Sequence, residues 1–268
     1  MRLFLMSILE WPTWKVNKMD GLYGKRQSDY FKQIFKYLRY VLNDFFVLSV
    51  LFALGGLGLA YSDYVKSLSH PSNLWYSKPL LVLIVIFLLQ IGKPKTLLKK
   101  ADAVFLLAKE SEMGQYLKRS FFSSYLSGAA IVFVGGLVLV PFMLFACDVP
   151  KPDVCLIIFL MLASKTFVLL AEFAEFYDEK FSSLLFELIF RFLLPVLALL
   201  LALFLNAVLS LCLMLGAIFF LIQNIRQSAY QKMFRWNFAI EKETARMMEL
   251  YRFFNLFCDV PYVVAKAK

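Results

Sequence analysis

Leu184–Gln223, LLFELIFRFLLPVLALLLALFLNAVLSLCLMLGAIFFLIQ, is an apolar run of 40 residues. A membrane helix needs about 20 predominantly apolar residues, so this run is too long for one span and long enough for two. Dividing it near Asn206 gives a hairpin of spans at 184–205 and 207–223. The same length criterion places further spans near 45–61, 74–92, 121–146 and 154–171. Trp75 and Tyr76 suit an interfacial belt at the start of the second, where Pro79 also falls, and Pro141 interrupts the third late. Gly55, Gly56 and Gly58 in the first span permit close helix approach, or are merely flexible positions in an apolar helix. The expected fold is all-α: a polytopic transmembrane helical bundle of about six spans, with amphipathic interfacial helices.

Composition agrees. The hydrophobic fraction is 61%, against about 45–50% for soluble domains. Too little polar surface remains to cover such a core in water. Of the 29 Lys and Arg, 23 lie in Met1–Asp44, Lys93–Ser120 and Asn224–Lys268. The loops between the other span ends carry only Lys66, Lys78 and Lys151, while the connection Glu172–Arg191 is mostly acidic. Basic residues set orientation and acidic ones count little, so both termini are expected on the cytoplasmic side of the membrane. The domain plan is an N-terminal segment 1–44, a transmembrane domain 45–223 with a cytoplasmic loop 93–120, and a C-terminal segment 224–268. The net charge of +10 fits anionic lipid headgroups better than nucleic acid, for which no recognised module pattern is present.

Three stretches of the basic face do more than set the threading. Asp29–Val41, DYFKQIFKYLRYV, repeats Tyr30, Phe31, Ile34, Phe35, Tyr37, Leu38 and Val41 at helical spacing, opposite Lys32, Lys36 and Arg39. Ser28 is a candidate cap, and the helix suits the membrane interface or extends the first span into the cytoplasm. In Lys93–Ser120, the apolar patch Val104–Ala108 is too short to cross a membrane and is followed by Glu110 and Glu112. Arg226–Phe257 reads as one long helix with a stripe Tyr230, Met233, Ile240, Met247, Tyr251 and Phe254, ended by Asp259, Val260 and Pro261.

Polar residues inside the spans are few. Lys165 lies near the inner end of the fourth span; it either snorkels to the headgroups or pairs with Glu172 on nearly the same helical face. Glu187 and Arg191, spaced i,i+4, are expected to pair near the inner interface. No chain of buried carboxylates points to an ion-coupled carrier. Cys147 and Cys155 flank one short outer loop and read as unpaired thiols ahead of a disulfide. With one histidine and no CxxC pair, no metal or cofactor site is expected. Arg2 and the apolar Leu3–Leu9 are followed by Glu10, Trp11 and Pro12, so the first span reads as an uncleaved signal anchor. GxxxxGK[ST], HExxH and GxSxG are all absent, and the chain is read as a non-enzyme.

KYLRYVLNDFFVL from Lys36, KADAVFLLAKESEMGQYLKRS from Lys100 and FRWNFAIEKETARMMELYRFFNLFCDVP from Phe234, taken in order, resemble the EcsB family of membrane permease subunits of bacterial ATP-binding cassette transporters. The resemblance implies an exporter-like role at the bacterial cytoplasmic (cell) membrane, linked to protein secretion, with a separate ATPase subunit as partner. On that reading the ATPase grips a short helix near Asp102–Glu112, with Phe105, Leu106 and Leu107 as anchors and Asp102, Glu110 and Glu112 supplying charge. The same patch packed on the protein's own inner helices is the alternative. Ala108 stands where the family usually has proline, and family members continue past the DVP element with further spans, whereas this sequence ends at Lys268. A truncated product, a split gene or a reduced variant would each fit, with an additional permease polypeptide or a homo-oligomer completing the transporter. A second reading is a non-transporting scaffold or regulator linked to secretion or intramembrane proteolysis.

Overall fold

The structure, a computed structural model, describes residues 19–42, 44–67, 76–107 and 113–257. Among these residues there is no strand. The helices are α1 (Met19–Val41), α2 (Asp44–Ser67), α3 (Ser77–Gln90), the single turn α4 (Asp102–Phe105), α5 (Met113–Phe145), α6 (Lys151–Ala174), α7 (Leu184–Phe204), α8 (Ala207–Gln231) and α9 (Trp236–Phe254). Five of them, α2, α5, α6, α7 and α8, are long and apolar enough to cross a membrane, and α3 is a shorter apolar helix. The chain is a multi-pass membrane protein.

The chain divides into two compact units. Unit 1 draws on Met1–Asp63, Lys95–Ser120 and Trp236–Lys268; unit 2 on Tyr64–Pro94 and Phe121–Arg235. Unit 1 therefore collects most of each basic block.

In unit 1, α1 is longer than its periodicity suggested. Ser28 lies inside the helix and caps nothing. One edge of the apolar stripe, Ile34, Tyr37, Leu38 and Val41, packs on Met247, Leu250, Tyr251 and Phe254 of α9. Tyr37 stacks on Phe254 at 5.6 Å and meets Tyr251 edge-on at 6.1 Å. Burying each such ring stabilises the pair by about 2–3 kcal/mol. No residue of α2 is buried, and a Cβ at Gly55, Gly56 or Gly58 would meet nothing within 4 Å, so these glycines mediate no close approach.

In unit 2, α6 is the central helix: Ile157, Leu160, Met161, Phe167, Val168 and Leu169 are all buried. The hairpin expected at Asn206 is present. Asn206 Oδ1 accepts from the backbone of Val208 (2.8 Å) and Leu209 (3.3 Å), capping α8. Ser210 then donates to the Ala198 carbonyl at 2.5 Å, tying the two arms together. Phe190 of α7 stacks on Phe167 of α6 at 5.6 Å. Within α7, residues Ile189–Leu193 form a π turn. Large apolar side chains on the outer faces, such as Leu126, Val134, Leu197 and Phe220, stand exposed, as helices facing lipid require.

The long C-terminal helix expected from Arg226 is broken. α8 ends at Gln231, and Lys232–Arg235 is held by the segment after α6. The Arg235 amide donates to the Phe176 carbonyl at 2.9 Å, its guanidinium pairs with Glu179 at 3.4 Å, and Lys232 pairs with Asp178. Phe234 is buried beside Phe176 and Tyr177. Tyr230 and Met233 are exposed, so the stripe is continuous only within α9.

Candidate functional site

Lys95–Lys99 crosses unit 1 without secondary structure, and a buried segment of that kind must find partners for its amides and carbonyls. Side chains from four helices, α1, α4, α5 and α9, supply them. The Lys95 carbonyl accepts from Tyr23 of α1 (3.2 Å) and Ser120 of α5 (2.8 Å). Thr96 donates through its amide and its hydroxyl to Glu243 of α9 at 3.0 and 3.1 Å, and its carbonyl accepts from Tyr116 of α5 at 2.7 Å. The Leu97 carbonyl accepts from Arg26 of α1 at 3.3 Å, and the Lys99 amide donates to Asp102 at 2.7 Å. Leu97 sits at φ 52, a left-handed conformation that costs a non-glycine residue roughly 1–2 kcal/mol. This strap is held from outside itself.

Two ion pairs fix the holders. Arg26 forks onto Asp102 at 2.7 and 2.8 Å and also donates to the Tyr116 hydroxyl at 3.2 Å. Burial alone would lower the Arg26 pKa, but Asp102 and Tyr116 outweigh it and the pKa is raised. Arg246 pairs with Glu243 at 2.6 Å and donates to Tyr30 at 3.1 Å; there too burial opposes the charge, and Glu243 more than compensates. For Lys95, burial and the nearby Arg246 lower the pKa, and Glu243 offsets them only in part. A cleft of about 530 Å³ opens beside the strap, walled by Arg26, Tyr30, Leu98, Glu243, Met247 and Tyr251.

Immediately after the strap comes α4. One helical turn is unstable alone, because nucleation fixes several dihedrals for a single hydrogen bond. Here the anchored Asp102 carboxylate starts it, and the Leu106 amide closes it on the Asp102 carbonyl at 2.9 Å. The result presents Val104, 75% exposed, and Phe105, 78% exposed, with Leu107 beside them. Of the contact set expected from sequence, Phe105 and Leu107 face outward and Leu106 is half-buried. Asp102 is buried against Arg26, so it belongs to the support and not to the surface. Glu110 and Glu112 lie outside the described residues. Val104 joins the exposed set, and its place in the apolar run was the available signal. Arg26, Thr96, Tyr116 and Glu243 had no signal in sequence spacing, since their partners are remote in the chain.

The polar residues of unit 2 form a separate group. Lys165 is buried, and its Nζ donates to the carbonyls of Leu89 (2.9 Å), Ile91 (2.7 Å) and Gly92 (3.1 Å). It therefore caps the end of α3; it neither snorkels nor ion-pairs with Glu172, because the unpaired carbonyls are nearer. Room for its stem comes from Gly128, where a Cβ would lie 2.6 Å from Lys165 Cε. Gly92 itself has φ 92, which glycine alone adopts readily. The expected pair Glu187–Arg191 is present at 2.7 Å, and Arg191 also pairs with Glu172 at 3.0 Å. Gln90 completes the group, accepting from Arg191 Nε at 2.5 Å and donating to the Arg191 carbonyl at 3.3 Å. Cys147, Cys155 and Cys212 are unpaired thiols. Among the described residues no group of three or more His, Cys, Asp and Glu is arranged to hold a metal ion.

The chain is 30% identical over 262 residues to "Protein EcsB" of Bacillus subtilis (strain 168), an alignment covering 94% of this chain and 61% of that protein. It thus spans less than two thirds of that relative's length. No solved structure matches it. The family model described as "Bacterial ABC transporter protein EcsB" matches residues 20–268, and the chain belongs to the EcsB family.

Proposed function

We propose that this chain is a membrane permease subunit of an exporter-like bacterial ATP-binding cassette transporter, driven by a separate ATPase subunit. The observation that carries the reading is the exposed turn Val104–Leu107 at the end of a pinned strap. A contiguous apolar patch beside a rigid support is the anatomy of a partner contact. On this reading the parts of unit 1 outside α2 are cytoplasmic with both termini on that side, and the chain has no catalytic activity of its own. ATP is hydrolysed by the partner. Family membership supports a link to an ABC transporter system.

The test is co-purification with the ATPase encoded beside this gene. Val104→Asp with Phe105→Asp should abolish the complex while the protein still folds, because both side chains are exposed. Retention of the complex by a folded double variant rejects the docking assignment. ATP-dependent movement of substrate in vesicles holding both subunits then separates a transporter from a scaffold, which moves none.

A further inference from the structure

α1 does not use all of its apolar surface against α9. Around the helix, Ile34, Tyr37, Leu38 and Val41 face α9, while Phe31 and Phe35 come next and remain exposed, Phe35 at 64%. Beyond them lie Lys32, Lys36 and Arg39, all exposed. At helical spacing these are three adjacent sectors: buried apolar, exposed aromatic, exposed basic. The end of α9 repeats the arrangement, with Phe253 and Leu256 exposed, Leu256 at 78%, and Arg252 beside them. Lys32, Lys36, Arg39 and Arg252 make no ion pair among the described residues.

Both helix ends converge on the start of α2. α1 stops at Val41 and α2 starts at Asp44; the Phe46 ring meets Phe257, just past α9, at 5.7 Å. α2 is a membrane span, so whatever surrounds its first turn stands at the bilayer surface. Aromatic rings and basic side chains are the residue types that settle there, the rings at headgroup depth and the cations on anionic phosphates. We propose that the α1–α9 pair is an anionic-lipid collar around the root of α2. Phe35, Phe253 and Leu256 enter the headgroup region, and Lys32, Lys36, Arg39 and Arg252 bind acidic phospholipid. The docking turn is not part of it: Arg26, which holds α4, precedes Phe35 by nine residues, about 13 Å along the helix.

The test uses the full chain without native cysteines, in vesicles of phosphatidylglycerol and phosphatidylethanolamine. A bimane label is placed at Phe35→Cys, at Leu256→Cys or, for comparison, at Val104→Cys. Labels at 35 and 256 should be quenched by lipids brominated near the headgroup and shielded from iodide; the label at 104 should show the reverse. Neutralising Lys32→Gln, Lys36→Gln and Arg39→Gln together should reduce retention of phosphatidylglycerol over phosphatidylcholine on extraction, on the order of fivefold per charge. Positions 35 and 256 as open to iodide as 104 would overturn the collar. Shielding that appears only after the partner ATPase is added would overturn it too, because protein and not lipid would then be the cover. Unchanged lipid preference in the triple variant overturns the anionic assignment.

Discussion

Lys165 shows how one side chain settles a backbone problem. α3 has 14 residues, about 21 Å of helix, and beyond it the chain leaves helical geometry at Ile91 and Gly92. The Leu89 carbonyl is buried and those of Ile91 and Gly92 partly so, and an unmet buried acceptor costs roughly 1–3 kcal/mol. A single ammonium meets all three, and its charge also suits the negative end of a helix. Lys165→Met should therefore lower the stability of the detergent-solubilised protein by about 2 kcal/mol or more, read by thermal unfolding. Gly128→Ala should have a comparable effect through the collision with Lys165 Cε, and should cost far less in a Lys165→Ala background, where the obstructing chain is gone. Equal costs in both backgrounds would detach Gly128 from the cap.

At the scale of elements, the apolar runs were legible and the connections between remote residues were not. The hairpin turn falls at Asn206, and helices at 44–67, 113–145, 151–174 and 184–204 overlap the spans read from length and hydropathy, although α5 starts eight residues before its span and α2 ends six residues after its own. These depend on local composition, which a sequence displays directly. The end of α8 is a different case. Periodicity ran through Lys232–Arg235, and the break there comes from Asp178, Glu179 and the Phe176 carbonyl, about 55 residues earlier. The strap is similar, with holders at Tyr23, Tyr116 and Glu243 that no spacing rule relates. The turn before α8 can be tested alone: Asn206→Ala removes two accepted hydrogen bonds and should destabilise the protein by about 1 kcal/mol, with Asn206→Ser largely restoring it. No loss in the alanine variant would mean that the Ser210–Ala198 contact suffices to close the hairpin.

For the whole molecule, the proposed threading makes a prediction about access. A cysteine at Lys151, in a cell whose version of the protein lacks native cysteines, should react with a membrane-impermeant maleimide in intact cells. One at Met233, also exposed, should react only after permeabilisation. The opposite pattern would invert the orientation. The composition of unit 1 bears on a separate matter, the order of events at the ribosome. Its parts are made before, between and after those of unit 2, and the Glu243 carboxylate that takes both hydrogens of Thr96 is in the third. Chains emerge amino terminus first. A nascent chain that has reached Arg235 has already supplied every residue of unit 2, yet its strap still lacks the acceptor for Thr96. Unit 1 closes only when α9 arrives, so the strap waits until every residue of unit 2 has been made.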